Sequence, residues 1–363
     1  MERVQKRAVV VLAAFDYESL QITLKSLDHT VDAGEKIVVI LNGKRNFASE
    51  KIERIARAWA SKNTINRFVV RPLSAGSEPY FGLTEIIKNY EPLKDVQHIC
   101  KIDDDIIPLK KGWVDNLSNA YGELSKKRKI GFVTGLINNN CWGFPQLIDL
   151  FDKRAEYETM YNYQTLAGEL LERKVPPKQI DIGLNGTIVQ YPFLAWWIHQ
   201  WTSLNIAAFI DKTNLLPYQQ IADATHYSIG CIYFDKEYWL SINQKKYNSS
   251  FDELLLHLDC RQNGLEKWAV MNEPMIHLFY RTQRYANHDL VDLVMPALAA
   301  HFQDDEFKNI ERITPYHFHF LNEEHLKELD TRIAYMHRKI SAFSFFKKWK
   351  QSRKIKKLIE GNV

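Results

Sequence analysis

The sequence predicts an α/β fold, with a mostly parallel sheet covered on both faces by helices. Three observations predict it. Apolar, β-rich runs alternate four times with helically spaced apolar residues between Ala8 and Leu124. The runs are continuously apolar, the pattern of strands buried on both faces. Three consecutive acids, Asp103, Asp104 and Asp105, stand where the fourth run ends, and in open α/β sheets ligands bind at the carboxyl ends of strands.

In chain order, Ala8 to Ala14 reads as the first strand and Ser19 to Leu27 as a helix with Leu20, Leu24 and Leu27 on one face. Arg3, Lys6 and Arg7 precede that strand as they would in a secretory leader. The apolar run passes at once into Asp16 and Glu18 with no small-residue cleavage site, so a buried strand is the expectation. Ile37 to Leu41 is the second strand, closed by the turn dipeptide Asn42-Gly43. A helix over 49–61 carries Ile52, Ile55, Ala56 and Trp59. Arg67 to Val70 is the third strand, Leu83 to Tyr90 a helix, His98 to Ile102 the fourth strand and Gly112 to Leu124 the next helix. Ile130 to Ile137 adds a strand that leaves through Asn138, Asn139 and Asn140.

The alternation is lost from Phe144 to Thr225, a segment rich in Tyr and Trp that includes Trp196 and Trp197. Large aromatics fill cores first and stack on sugar rings second; beside the ligand edge they suggest an acceptor wall or lid, with Trp142, Trp196 and Trp197 on the acceptor side. The sheet pattern resumes at Tyr227 to Phe234, followed by helices at 236–241 and 251–262 and a last strand at Ala269 to Met275. The expected divisions are 1–137, a nucleotide-binding half; 138–226, the aromatic-rich insertion; 227–315, an acceptor and catalytic half; and 316–363, a helical extension.

In that extension Leu326, Leu329, Ile333, Met336 and Ile340 form a helical stripe. Beyond it, 343–359 combines Phe345, Phe346 and Trp349 with several lysines, the pattern of a segment that lies on an anionic membrane surface or binds a partner. Residues 338–363 hold nine Lys or Arg and one acid, which leaves 39 basic and 43 acidic residues in the rest of a chain whose net charge is +4. A mildly acidic body excludes a uniformly basic nucleic-acid-binding domain.

With 363 residues, 45% of them hydrophobic, the chain can build a sizeable core. Cys100, Cys141, Cys231 and Cys260 are far apart with no CxxC, as free thiols in a reducing compartment would be. No apolar run approaches the roughly 20 residues that span a bilayer. There is no GxGxxG, no P-loop and no GxSxG elbow.

The acids themselves need compensation, since closely packed like charges repel. Alternate residues of an extended strand share a face, so Asp103 and Asp105 point one way and Asp104 the other. Two such carboxylates can share a hard divalent ion with a ligand. An EF-hand is excluded, because Pro108 and Val114 stand where its Gly and Glu belong.

These residues resemble the GT-A glycosyltransferases, especially the large family two of nucleotide-sugar-dependent enzymes. VVVLAAFDYESLQITLKSL (9–27, strand and first helix) and IVVILNG (37–43) are similar to the family's first two strands, IDDD (102–105) to its DXD motif, GCIYFDKEYW (230–239) to the strand and helix after the acceptor region, and Phe251-Asp252-Glu253 to its FDE. The resemblance covers about 8–137 and 227–280. It implies a GT-A type sheet, Mn2+ or Mg2+ held by Asp105 and Asp103 with His277 completing the site, and a nucleotide-sugar bound by Ala14, Asp103, Asp104 and Asp105. Asp259 would be the general base. Two departures stand out: Leu41 occupies the place of a base-reading Asp, and His257-Leu258-Asp259 replaces the usual paired Glu-Asp.

The implied activity is transfer of a sugar to a glycan or lipid-linked glycan in bacterial surface polysaccharide or lipopolysaccharide synthesis. The implied location is cytoplasmic, peripheral to the inner face of the membrane. Two alternatives stand beside it: a sugar nucleotidyltransferase, disfavoured by acidic Asp16-Tyr17-Glu18 after the first strand, and a catalytically silent glycan-binding scaffold.

Overall fold

Apolar runs of β-branched residues become the centre of a nine-stranded sheet in the computed structural model, which describes residues 6–73, 79–161, 188, 192–222, 228–242, 252–284 and 287–314. The strands are β1 Arg7–Ala13, β2 Lys36–Leu41, β3 Arg67–Val70, β4 His98–Asp103, β5 Ile106–Pro108, β6 Ile130–Ile137, β7 Gln219–Ile221, β8 Cys231–Asp235 and β9 Glu266–His277. The helices are α1 Tyr17–Thr30, α2 Ser49–Ala60, α3 Pro79–Asn89, α4 Trp113–Ser125, α5 Gly143–Leu150, α6 Arg154–Tyr161, α7 Pro192–Trp201, α8 Ile206–Thr213, α9 Lys236–Ser241, α10 Asp252–Asn263, α11 Arg281–Arg284 and α12 Leu290–Phe302. The α/β class predicted from the sequence is the one adopted.

Strand order is β3-β2-β1-β4-β8-β6-β9-β5, with β7 also on β9. The first four strands of the chain pair in parallel, and Val9, Val10 and Val11 of β1 are wholly buried, as two-faced coverage requires. β8 runs antiparallel between β4 and β6, so β1, β4, β6 and β9 point the same way and their carboxyl ends share one edge. Strands from 1–137 and 227–315 therefore complete a single sheet, within one compact unit, Met1–Ile313.

β4 and β5 are separated only by Asp104 and Asp105, yet β5 pairs with the far end of β9, Ile106 opposite His277. The chain forks at the acids. Short β5 and β7 escaped the sequence pattern because three residues carry no periodicity.

Helix ends follow side-chain chemistry. Asp16 caps α1 by accepting from the Glu18 and Ser19 amides at 3.1 and 2.9 Å, and Asp235 caps α9 through the Tyr238 amide. In the insertion, α5, α6 and α7 assemble around their aromatics: Trp197 stacks on Tyr157, Phe144 meets both edge-on, and Trp201 packs on Phe151. All four cysteines are buried free thiols. Among the described residues no helix is long and apolar enough to cross a membrane. The stripe from Leu326 and the 343–359 segment lie outside the described residues.

Candidate functional site

The acids sit at the carboxyl end of β4 beside the ends of β1, β6 and β9. Strand alternation sends Asp104 inward, where its carboxylate accepts from the Ala14 amide at 2.8 Å while the Ala14 carbonyl accepts from Asn46 at 3.1 Å. Burial pushes the Asp104 carboxyl well above the usual range, and the charges of Asp105, Asp16 and Asp103 add to that. Ala14 and Asp104 thus satisfy each other and tie β1 to β4.

Asp103 and Asp105 turn the other way, and both charges act on the same imidazole, His277. Asp103 is paired with Lys101, whose Nζ lies 2.7 Å from one carboxylate oxygen and donates to the Ile229 carbonyl at 2.7 Å. Lys101 is 1% exposed. A buried ammonium needs an anion beside it, so Asp103 is already committed to a cation supplied by the protein. Lys101 thus partly neutralises Asp103, while Asp105 is paired with a histidine. The signal was in the sequence: one lysine inside the apolar HICKID run, two residues before Asp103 and therefore on its face.

Asp105 meets His277 instead, with Oδ2 3.2 Å from Nε2. His277 Nδ1 lies 2.7 Å from the Asn139 carbonyl, which can only accept, so Nδ1 carries the hydrogen. A neutral ring then presents the Nε2 lone pair to a carboxylate. Two acceptors at that separation require a positive charge between or upon them, either a second ring proton or a cation. Burial works to lower the His277 pKa, but Asp105, Asn139 and Asp103 outweigh it and the net shift is upward. The pair fits a divalent ion of the Mg2+ or Mn2+ kind, which takes one or two protein ligands and completes its shell with phosphate and water. Among the described residues no group of three or more His, Cys, Asp or Glu forms a closed metal cage.

Around His277 lies a buried polar network. Asn138 accepts from the His277 amide at 2.9 Å and donates to Thr202 and Ser203 of the α7 end at 2.9 and 3.0 Å. Gln283 and Asn139 clasp each other by their amides. His199 donates from Nε2 to the Leu278 carbonyl and accepts at Nδ1 from Ser203, and burial drives its pKa down to about 3. The Asn138 to Asn140 run gave no sign of these partners, because they come from α7, α11 and β9.

At the neck of α1, Arg284 binds Asp16 at 3.0 Å and Glu18 at 2.5 Å, and Arg312 reaches the same Glu18. The acidic character of the first loop is thereby neutralised from within the chain.

Asp259 is not brought to this edge. Its carboxylate accepts from the Tyr238 hydroxyl at 3.1 Å, and neighbouring Cys260 packs so tightly on β6 that a Cβ at Gly131 would lie 2.4 Å from its sulfur. Gly131 begins β6, and α9, which carries Tyr238, follows Asp235, the partner of His98 at the start of β4. Asp259 therefore stands at the amino-terminal edge, roughly 16 Å of strand from the acids. Glu253 stands in the first turn of α10, at the opposite end of the helix from Asp259. Its charge acts on Cys141, whose thiol is pushed up to about 12 by burial first and by Glu253 second, with Tyr280 opposing. Tyr280 in turn packs edge-on against His277 at 4.5 Å.

Of the tryptophans expected on the acceptor side, Trp142 and Trp197 are buried, and Trp197 donates to Glu156 at 2.7 Å. Trp196 is half-buried.

No protein-family model matches the chain. No curated protein matches it either. Solved structures that it resembles include a mannosyltransferase from Pyrobaculum calidifontis in complex with GDP-Man and Mn2+, at 14% identity and TM-score 0.30 over 37% of this chain and 36% of that one. TarS of S. aureus is similar at 16% identity and TM-score 0.26 over 37% and 21%. The 4-diphosphocytidyl-2C-methyl-D-erythritol synthase of Anaerococcus prevotii is similar at 12% identity and TM-score 0.36 over 79% and 98%. The chain thus spans 36% and 21% of the first two. Likeness at this level assigns no activity, and the chemistry rests on the site.

Proposed function

We propose that the chain is a metal-dependent glycosyltransferase that moves a sugar from a nucleotide-sugar donor to a hydroxyl of a glycan or lipid-linked glycan. The observation that carries this reading is the Asp105–His277 pair at the carboxyl edge, with Nδ1 held by a carbonyl so that two acceptors face each other. Asp105 and His277 would hold Mn2+ or Mg2+, which when bound neutralises the charge of the departing diphosphate. Asp103, balanced by Lys101, accepts a hydroxyl of the donor.

Glu253 takes the acceptor proton as the new oxygen–carbon bond forms and the bond to the diphosphate breaks. Trp196, half-buried on α7, would offer the acceptor a ring face.

Thermal-shift measurements with UDP, GDP and CDP, with and without Mn2+, test the reading. Stabilisation that needs both nucleotide and Mn2+, and that Asp105→Ala abolishes, supports it; an unchanged response in the variant removes the site. Release of diphosphate from a nucleoside triphosphate and a sugar phosphate would instead mark a nucleotidyltransferase. We place the enzyme on the cytoplasmic face of a bacterial membrane, in surface polysaccharide or lipopolysaccharide assembly, with 343–359 on anionic lipid. Sedimentation with anionic liposomes should recover the full chain and not a form ending at Ser341, and equal recovery would end the membrane assignment.

A further inference from the structure

Gln283 is fully buried on α11, and each hydrogen-bonding position of its amide is used. Oε1 accepts from the Asn139 side chain at 2.7 Å and from the Tyr280 amide at 3.0 Å, while Nε2 donates to Asn139 Oδ1 at 3.2 Å and to the Ile188 carbonyl at 2.7 Å. The two amides form a closed reciprocal pair. Asn139 is the residue whose carbonyl holds His277 Nδ1. The position of that carbonyl follows the position of its residue, and the residue is clamped by Gln283 on one side and by β6 on the other.

We propose that Gln283 is a positioning residue of the cation site: its clasp on Asn139 sets the tautomer and orientation of His277 and so aims Nε2 at Asp105. The inference rests on the cation reading above and deepens it. Groups that hold the second nitrogen of a ligating histidine govern both its ring orientation and its basicity. Asn138 contributes from the same strand end, through the His277 backbone, whereas Gln283 acts through Asn139, whose carbonyl holds the ring nitrogen. Because Gln283 also binds Ile188, the aromatic-rich insertion and the cation site share one buried amide.

Side-chain 15N NMR of the metal-free full chain, recorded at alkaline pH where the ring holds a single proton and with His277→Gln to assign the resonance, reports which ring nitrogen carries hydrogen. Calorimetric titration reports Mn2+ affinity. The wild type should show Nδ1–H. Gln283→Met, similar in length but without the amide, should lose that preference and weaken Mn2+ binding by about tenfold to a hundredfold while unfolding cooperatively. Gln283→Glu sets an oxygen against Asn139 Oδ1 and should behave the same way, and it carries the test should the methionine variant not fold. A folded variant that keeps either the wild-type tautomer or the wild-type Mn2+ affinity overturns the proposal, as does loss of fold in both, which would make the clasp purely structural. A wild type that binds no Mn2+ defeats the cation reading separately, and the NMR comparison then decides alone whether Gln283 sets the ring.

Discussion

Asp105 and Asp259 are carboxylates at opposite edges of one sheet, and what surrounds them differs in kind. At the carboxyl edge, Asp105 faces an imidazole whose other nitrogen is fixed, beside an acid that a buried lysine has already neutralised. At the amino edge, Asp259 takes a tyrosine hydroxyl, and Cys260 fills the space a side chain on Gly131 would need. The first arrangement leaves charge to be completed from outside, whereas the second completes a local hydrogen bond. Carboxylate type alone says nothing of role; the neighbours decide it.

The sharpest way to break this contrast sets Glu253→Gln against Asp259→Asn. The first should lower kcat by about 10² to 10⁴, the usual worth of a positioned proton acceptor, and the second should leave turnover within about twofold. Steady-state kinetics with the donor found by thermal shift measures both; the reverse ranking would return the base to Asp259. Lys101→Met comes next. Removing the buried lysine leaves a partly exposed Asp103 without that partner, a loss of about 1–3 kcal/mol, so denaturant midpoints should fall, and donor KM should rise because Asp103 loses its anchor.

Tyr238→Phe probes the amino edge. Loss of the bond to Asp259 should cost about 1–3 kcal/mol in urea unfolding with KM for donor and Mn2+ affinity unmoved. The smallest effect is one of pH. His199 titrates at about 3 when folded against 6.5 for the ordinary side chain, so between these values the unfolded chain binds the extra proton and stability falls as pH drops. Melting curves from pH 7 to pH 4 should slope accordingly, and His199→Gln should flatten the slope.

The contrast also explains what was legible beforehand. Helices α1, α2 and α4 and the strands that precede the acids were readable because burial on both faces imprints continuous apolar runs and helical spacing on the chain itself. Asp105 and His277 were readable as candidates from residue type and a resemblance. Glu253 and Asp259 lie on the same helix, two turns apart, and nothing in a helical pattern says which end meets the carboxyl edge; that depends on α10 descending toward β9. Trp142 and Trp197 were ambiguous for a related reason, since an aromatic ring that lines a ligand and one that fills a core have the same composition. Gln283 was silent, being a glutamine whose partners come from β6 and the insertion.

The fork between β4 and β5 has a consequence for the order of events during synthesis. β5 finds its partner only in β9, which ends at His277. Until that late segment has left the ribosome, the turn of Asp104 and Asp105 has nothing to brace its far side, although β1 to β4 can already associate. A nascent chain halted before β9 should therefore possess a parallel core with an unformed acidic corner, so that ion binding would arise abruptly, in the last stage of domain closure.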